Sequence, residues 1–265
     1  MVIVESGGSG KGNVITSYGE SGAKGSSGES QFIMKILIKE VNSSIQDSDV
    51  KWYLADESLW ITSYSDYSGV EKSIANCFGS FNWLYNVNDT LLFEKEDGKF
   101  KLAIINLTEK VEVVESPIRN DISVKKGDIY FMESKLCDYE FRGKVNYVCE
   151  KDYLYSCPSE FLQDNDTIIL FITCNFGFFI HEQLLVGWML KKASNHLELS
   201  TIGEKTLAKS GNMVIAEYLR VQKKCEEDNN LEPLVELSMR LESQDDIASL
   251  AVKECLNNIL SFNNR

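Results

Sequence analysis

Histidine is the scarcest chemical resource of this chain: His181 and His196 are the only two in 265 residues. Any Ser–His–Asp or Cys–His catalytic arrangement must pass through one of them. Cys174 lies seven residues before His181 and could meet it across a hairpin, but a structural thiol and a turn imidazole read better. His181-Glu182 follows an apolar strand, yet position 185, where an HExxH zinc motif needs its second histidine, is leucine. A GxSxG nucleophile elbow is also missing. The seven cysteines (Cys77, Cys137, Cys149, Cys157, Cys174, Cys225, Cys255) form no CxxC pair and have no histidine at zinc-ligand spacing. Their odd number argues against a disulfide framework, so reduced, mostly buried thiols are expected.

Long apolar runs are lacking too. No stretch nears the ~18 residues of a membrane-spanning helix, and the longest, Ile168–Cys174 and Phe176–Ile180, are strand-length. The N-terminus has no basic region followed by an apolar one, so no secretory signal is read and the cytoplasm is the expected location. The Gly7-Gly-Ser-Gly-Lys-Gly12 stretch invites a phosphate-binding loop. A Walker A motif, however, needs glycine where Glu5 stands and a hydroxyl residue where Gly12 stands. Lys51, Lys72 and Lys101 are too few among the aromatics to make a stacking platform for nucleic acid. The chain therefore reads as non-enzymatic, with no catalytic residue, metal or cofactor to assign.

What is present is acid. The formal net charge is −13, of which residues 1–33 carry −1, leaving −12 on the remainder. That balance repels nucleic acid and anionic membrane surfaces, whose phosphates need lysine and arginine. It favours a basic protein partner through long-range steering.

A compositional seam lies at Met34. The first 33 residues hold eight of the 17 glycines and few apolar side chains, so residues 1–33 are expected to be disordered. From Met34 the pattern turns strand-like and stays so to about residue 203. Segments expected as strands include Val50–Leu54, Leu59–Ser63, Leu91–Glu94, Phe100–Ile105, Val145–Cys149, Tyr153–Cys157 and Leu184–Leu190. Glu96-Asp-Gly98 reads as a hairpin turn. Val70, Ile74, Cys77, Phe78 and Phe81 recur at three and four residues, which predicts a helix over 69–84. Residues 204–265 read as helices packed on the β-rich region 34–203, with Pro233 in a first turn and Ser243 or Asp245 capping the last helix. The expected class is α+β: a mostly antiparallel β region followed by C-terminal helices.

Before the seam, Asn13-Val-Ile-Thr-Ser-Tyr-Gly-Glu-Ser-Gly-Ala-Lys-Gly-Ser-Ser-Gly28 resembles a phrase near the C-terminal ends of bacterial polymorphic toxins, roughly "VITSYGxSGxKGxSG". The match covers about 15 residues, Val14 to Gly28. In such loci a toxin gene is followed by its immunity gene. The resemblance implies a toxin-tail remnant run into an acidic immunity protein, whose partner is a cognate, basic, nuclease-type toxin domain. The alternative is an intracellular interaction module with no toxin partner. Acids beside aromatics are the candidate contact residues. One patch comprises Asp47, Asp49, Asp56 and Glu57 with Trp52 and Trp60. The other comprises Asp138, Glu140, Glu150 and Asp152 with Tyr139 and Tyr153.

Overall fold

The structure, a computed structural model, describes residues 35–80, 89–107, 111–115, 118–131, 139–141, 143–200 and 211–263. Contacts divide the chain into Met1–Gln31 and Phe32–Arg265. The first unit, and with it the toxin-like phrase, lies outside the described residues.

The second unit is α+β. In chain order its elements are β1 (Ile36–Lys39), β2 (Val50–Tyr53), β3 (Ser58–Ile61), α1 (Tyr67–Ile74), β4 (Cys77–Ser80), β5 (Thr90–Glu94), β6 (Phe100–Asn106), β7 (Glu112–Val113), β8 (Ser123–Lys126) and β9 (Asp128–Phe131). There follow β10 (Val145–Val148), β11 (Tyr153–Ser156), α2 (Ser159–Gln163), β12 (Thr167–Phe171), β13 (Phe176–His181), β14 (Leu184–Lys191) and β15 (Leu197–Glu198). Among the described residues three helices follow: α3 (Gly211–Asp228), α4 (Glu232–Leu241) and α5 (Ile247–Asn263).

Two large sheets carry the strands. One runs β7-β10-β11-β14-β13-β12-β8 and the other β15-β2-β3-β6-β5-β4, with a separate β1-β9 ribbon. Pairing is antiparallel except at the margins, where β7, β8 and β15 join in parallel. The alternation of each strand sorts its side chains onto two faces. The inner faces meet in one core, where Trp52, Leu59, Phe93 and Phe100 of the six-stranded sheet lie with Tyr147, Phe176, Phe178 and Trp188 of the seven-stranded one. The outer faces carry smaller clusters, beneath α1 on one sheet and against Phe161 and Leu162 of α2 on the other. Ile215, Ala216, Leu234, Leu237, Val252 and Leu256 bring α3, α4 and α5 into the main core.

Local chemistry explains the turns. Between β5 and β6, Gly98 has φ +74° and any Cβ there would strike the Phe131 carbonyl, while Asp97 Oδ1 accepts the Lys99 N–H at 2.8 Å. This hairpin is the one the Glu96-Asp-Gly98 turn predicts. Pro233 lies in the first turn of α4 as expected, where its missing N–H costs nothing.

Two expectations need correction, and one element was not expected at all. The helix predicted over 69–84 ends at Ile74, and Cys77 and Phe78 belong to β4, paired with Glu94 and Phe93; Phe81 lies outside the described residues. The helical spacing of those residues is coincidental because β4 is buried on both faces, so alternation leaves no trace. The cap of α5 is Asp246 rather than Ser243 or Asp245: its Oδ1 accepts the Ser249 N–H at 2.9 Å and its Oδ2 the Ser249 hydroxyl at 2.7 Å. Strand β8 is a further element that no pattern announced, since all four of its residues are exposed.

Candidate acidic docking groove

The candidate contact residues separate sharply once folded. Trp52 is fully buried, its ring 5.9 Å from that of Tyr147 in the core. Trp60 is one register step away, opposite Lys51, so it faces the other side of the sheet. There it packs between Tyr53 and Tyr67 and is only 5% exposed. Neither indole presents a surface anchor. Placing both at an interface is corrected by the pairing of β2 and β3, which spends them on two packing layers.

Several of the acids are also committed internally. Asp152 sits at φ +53° in the turn after β10. It accepts the Tyr147 hydroxyl at 2.8 Å, the Ser194 N–H at 3.1 Å and the Ser194 hydroxyl at 2.6 Å. Asp47 accepts the Thr173 hydroxyl at 2.8 Å and the Asn175 N–H at 3.0 Å, tying the chain before β2 to the β12–β13 turn. Asp49 closes its own turn by accepting the Gln46 N–H at 2.8 Å. Tyr139 is buried with its hydroxyl donating to the Leu185 carbonyl at 2.6 Å. Tyr153 is half-buried against the outer cluster of the seven-stranded sheet. Glu140 and Glu150 are exposed, and Asp138 lies outside the described residues.

Glu57 differs from these, because it lines a groove, and Asp56 precedes it in the same turn. Asp56 accepts the Ser200 hydroxyl at 2.9 Å and is exposed. Glu57 is held at φ +48°, an uncommon conformation for a residue with a side chain, and its carbonyl accepts the Leu107 N–H at 2.7 Å. This turn sets Glu57 at one side of a cleft floored by Trp52, Leu54, Leu107 and Val111. The opposite wall is α3.

On that helix Tyr218, Gln222 and Glu226 follow one four-residue ladder, and Leu219, Lys223 and Glu227 follow the adjacent one. Both ladders share a face, buried at Tyr218 and Leu219 and exposed at Glu226 and Glu227. Beyond the small inner cleft the groove widens to about 280 Å³ between Val111 and Glu112 on one side and these helix turns on the other. Glu112 lies 3.4 Å from Lys223 and 3.9 Å from Lys144. Tyr218 is pushed well above its ordinary range by burial, then by Cys255, Glu57 and Glu226.

The end of α3 concentrates the field further. Glu226, Glu227 and Asp228 are its last three residues, and its last turn holds no basic side chain. A helix C-terminus already carries a partial negative charge, so acids there are unfavourable by ~0.3–1 kcal/mol each. Glu227 and Asp228 make no ion pair among the described residues. Across 211–263 there are ten acids against five bases. The arrangement suits a cationic side chain entering over an apolar floor. Sequence reasoning missed Glu112, Glu226 and Glu227; the acid run at the end of a predicted helix was the available signal.

The Cys174–His181 pairing also fails. Cys174 lies in the turn joining β12 to β13, whereas His181 is at the far end of β13, opposite Thr167. Six residues of strand separate them by ~20 Å. His181 Nδ1 is 3.3 Å from the Thr167 hydroxyl and its ring packs on Phe161. His196 is buried, with Nδ1 3.0 Å from the Val50 carbonyl and Nε2 3.8 Å from Asp47. Both imidazoles are built into local structure.

Among the described residues, no helix is long and apolar enough to cross a membrane. No family model matches the chain, and no curated protein matches it.

Proposed function

We propose that the protein is a non-catalytic, cytoplasmic immunity-type inhibitor that neutralises a basic, nuclease-type toxin by binding it through the acidic groove between α3 and the β2–β3 turn. The observation that carries this reading is the acid run that ends α3, Glu226-Glu227-Asp228, set beside an apolar cleft. Three acids at a negative helix pole weaken the fold slightly, and attraction of a cation is the gain that offsets the cost. Nuclease domains are basic because they hold phosphates, so a negative groove would engage the same surface that the nucleic acid needs. The toxin-like phrase before Met34 supports the neighbourhood, and the net charge of −13 supports fast, charge-guided association.

The test is binding to the proposed toxin domain, sought in the gene immediately upstream, measured from low to physiological salt. At ~0.15 M the Debye length is about 8 Å, so association slows as salt rises. Glu227→Lys with Asp228→Lys slows it by ~tenfold. Salt-independent association, or a rate unchanged by those substitutions, would contradict the groove assignment.

A further inference from the structure

The outer face of the six-stranded sheet holds a cavity of about 630 Å³ where α1 ends. That volume lies within the ~300–1,000 Å³ typical of small-molecule sites. Its floor spans β4, β5 and β6. Cys77 and Glu94 are directly opposite in register. Lys101 is the extra residue of a β-bulge, because Leu92 pairs with Leu102 and Phe93 with Phe100. A bulge re-aims the side chain it frees, and here the Lys101 ammonium reaches Glu94 Oε1 at 3.0 Å. Tyr64 forms one wall and Lys72, in the last turn of α1, another. On the rim Lys95 is fixed, its ammonium donating to the Ala75 carbonyl at 2.8 Å.

The charge of this cavity opposes that of the rest of the protein. Lys72, Lys95 and Lys101 line it against Glu94 and Glu96, in a chain of net charge −13. Lys72 makes no ion pair among the described residues. The half-enclosed site thus brings together one ammonium anchored on a carbonyl, one tied to a carboxylate and one on an exposed helix end.

We propose that this cavity binds a small organic oxyanion, a carboxylate or phosphate ester. Its charged group bridges Lys72 and Lys101, and its body lies against the Tyr64 ring. Lysine suits this role as a point charge for oxyanions. Glu96 on the rim accepts a hydroxyl or ammonium from the ligand's far end. The site is separate from the acidic groove and does not depend on the toxin reading.

The test uses the full chain with inorganic phosphate, citrate and glycerol 3-phosphate as probes, titrated at constant ionic strength with sodium chloride as balance. Saturable binding at millimolar concentration or tighter is expected, read by calorimetry and by a rise in melting temperature. The ratio of citrate to phosphate affinity separates carboxylate from phosphate ligands. Lys72→Met, at an exposed helix end where folding is not at stake, should weaken binding by tenfold or more. Lys125→Met on the exposed strand β8 should leave it unchanged. A response that tracks ionic strength alone, or binding equally strong in Lys72→Met and Lys125→Met, would overturn the proposal.

Discussion

The Asp89 carboxylate accepts the backbone N–H of Phe141 at 2.7 Å, and its second oxygen accepts that of Asn106 at 2.8 Å. Asp89 is 2% exposed. It clasps the start of β5 to the end of β6 and to the 139–141 segment. Burial pushes its carboxyl up to about 7, outweighing the two N–H donors that pull it down.

That shift fixes a pH dependence. The unfolded carboxyl ionises near pH 3.8, so the folded state holds an extra proton between that value and about 7. Its stabilisation is complete below pH 3.8 and is lost as the pH rises through 7. The change is on the order of a few kcal/mol. Asp89→Asn gives up one acceptor, so it should lower the urea midpoint at pH 5. The deficit should shrink at pH 8, where the native carboxylate is charged and buried. A deficit that widens with pH would contradict this.

Asp152 tests structure against interface. With its carboxylate holding Tyr147 and Ser194, Asp152→Ala should cost ~1–3 kcal/mol from unsatisfied donors, plus strain at a positive φ. Asp152→Asn should cost less, since asparagine tolerates that conformation. Chemical denaturation measures both. Equal stability of wild type and Asp152→Ala would return Asp152 to the pool of free surface acids.

The acid end of α3 should separate stability from binding. Glu227→Lys with Asp228→Lys complements the helix pole, so the melting temperature should rise by roughly a degree or more while association with the toxin slows. A fall in both would indicate damage to the helix rather than loss of field.

Residues 1–33 hold few apolar side chains, and Met1–Gln31 forms a unit apart from Phe32–Arg265. A chain begun at Met34 should melt within about two degrees of the full chain. A larger drop by calorimetry would make the glycine-rich segment part of the fold.

Sequence was most legible where local chemistry decides. The β5–β6 hairpin follows from Asp97-Gly98, and the start of α4 from Pro233, because turn and first-turn preferences act within a few residues. Strand β8 was silent since Ser-Val-Lys-Lys lies exposed on a sheet margin, held by backbone pairing with β12 rather than by an apolar face. Trp52 and Trp60 misled because aromatics beside acids look alike in a core strand and at an interface; only register puts them on opposite faces. The groove was half legible. Glu57 stood out in its turn, but Val111, Leu219 and Glu227 meet it only through tertiary packing, and no spacing rule links positions so far apart.

The central claim is best tested by growth. Cells expressing the proposed cognate toxin domain are plated with and without this protein, and with the Glu227→Lys, Asp228→Lys variant expressed to the same level. The account predicts full rescue by the wild type and weakened rescue by the charge-reversed variant. Failure of the wild-type protein, folded and abundant, to protect the cells would contradict it.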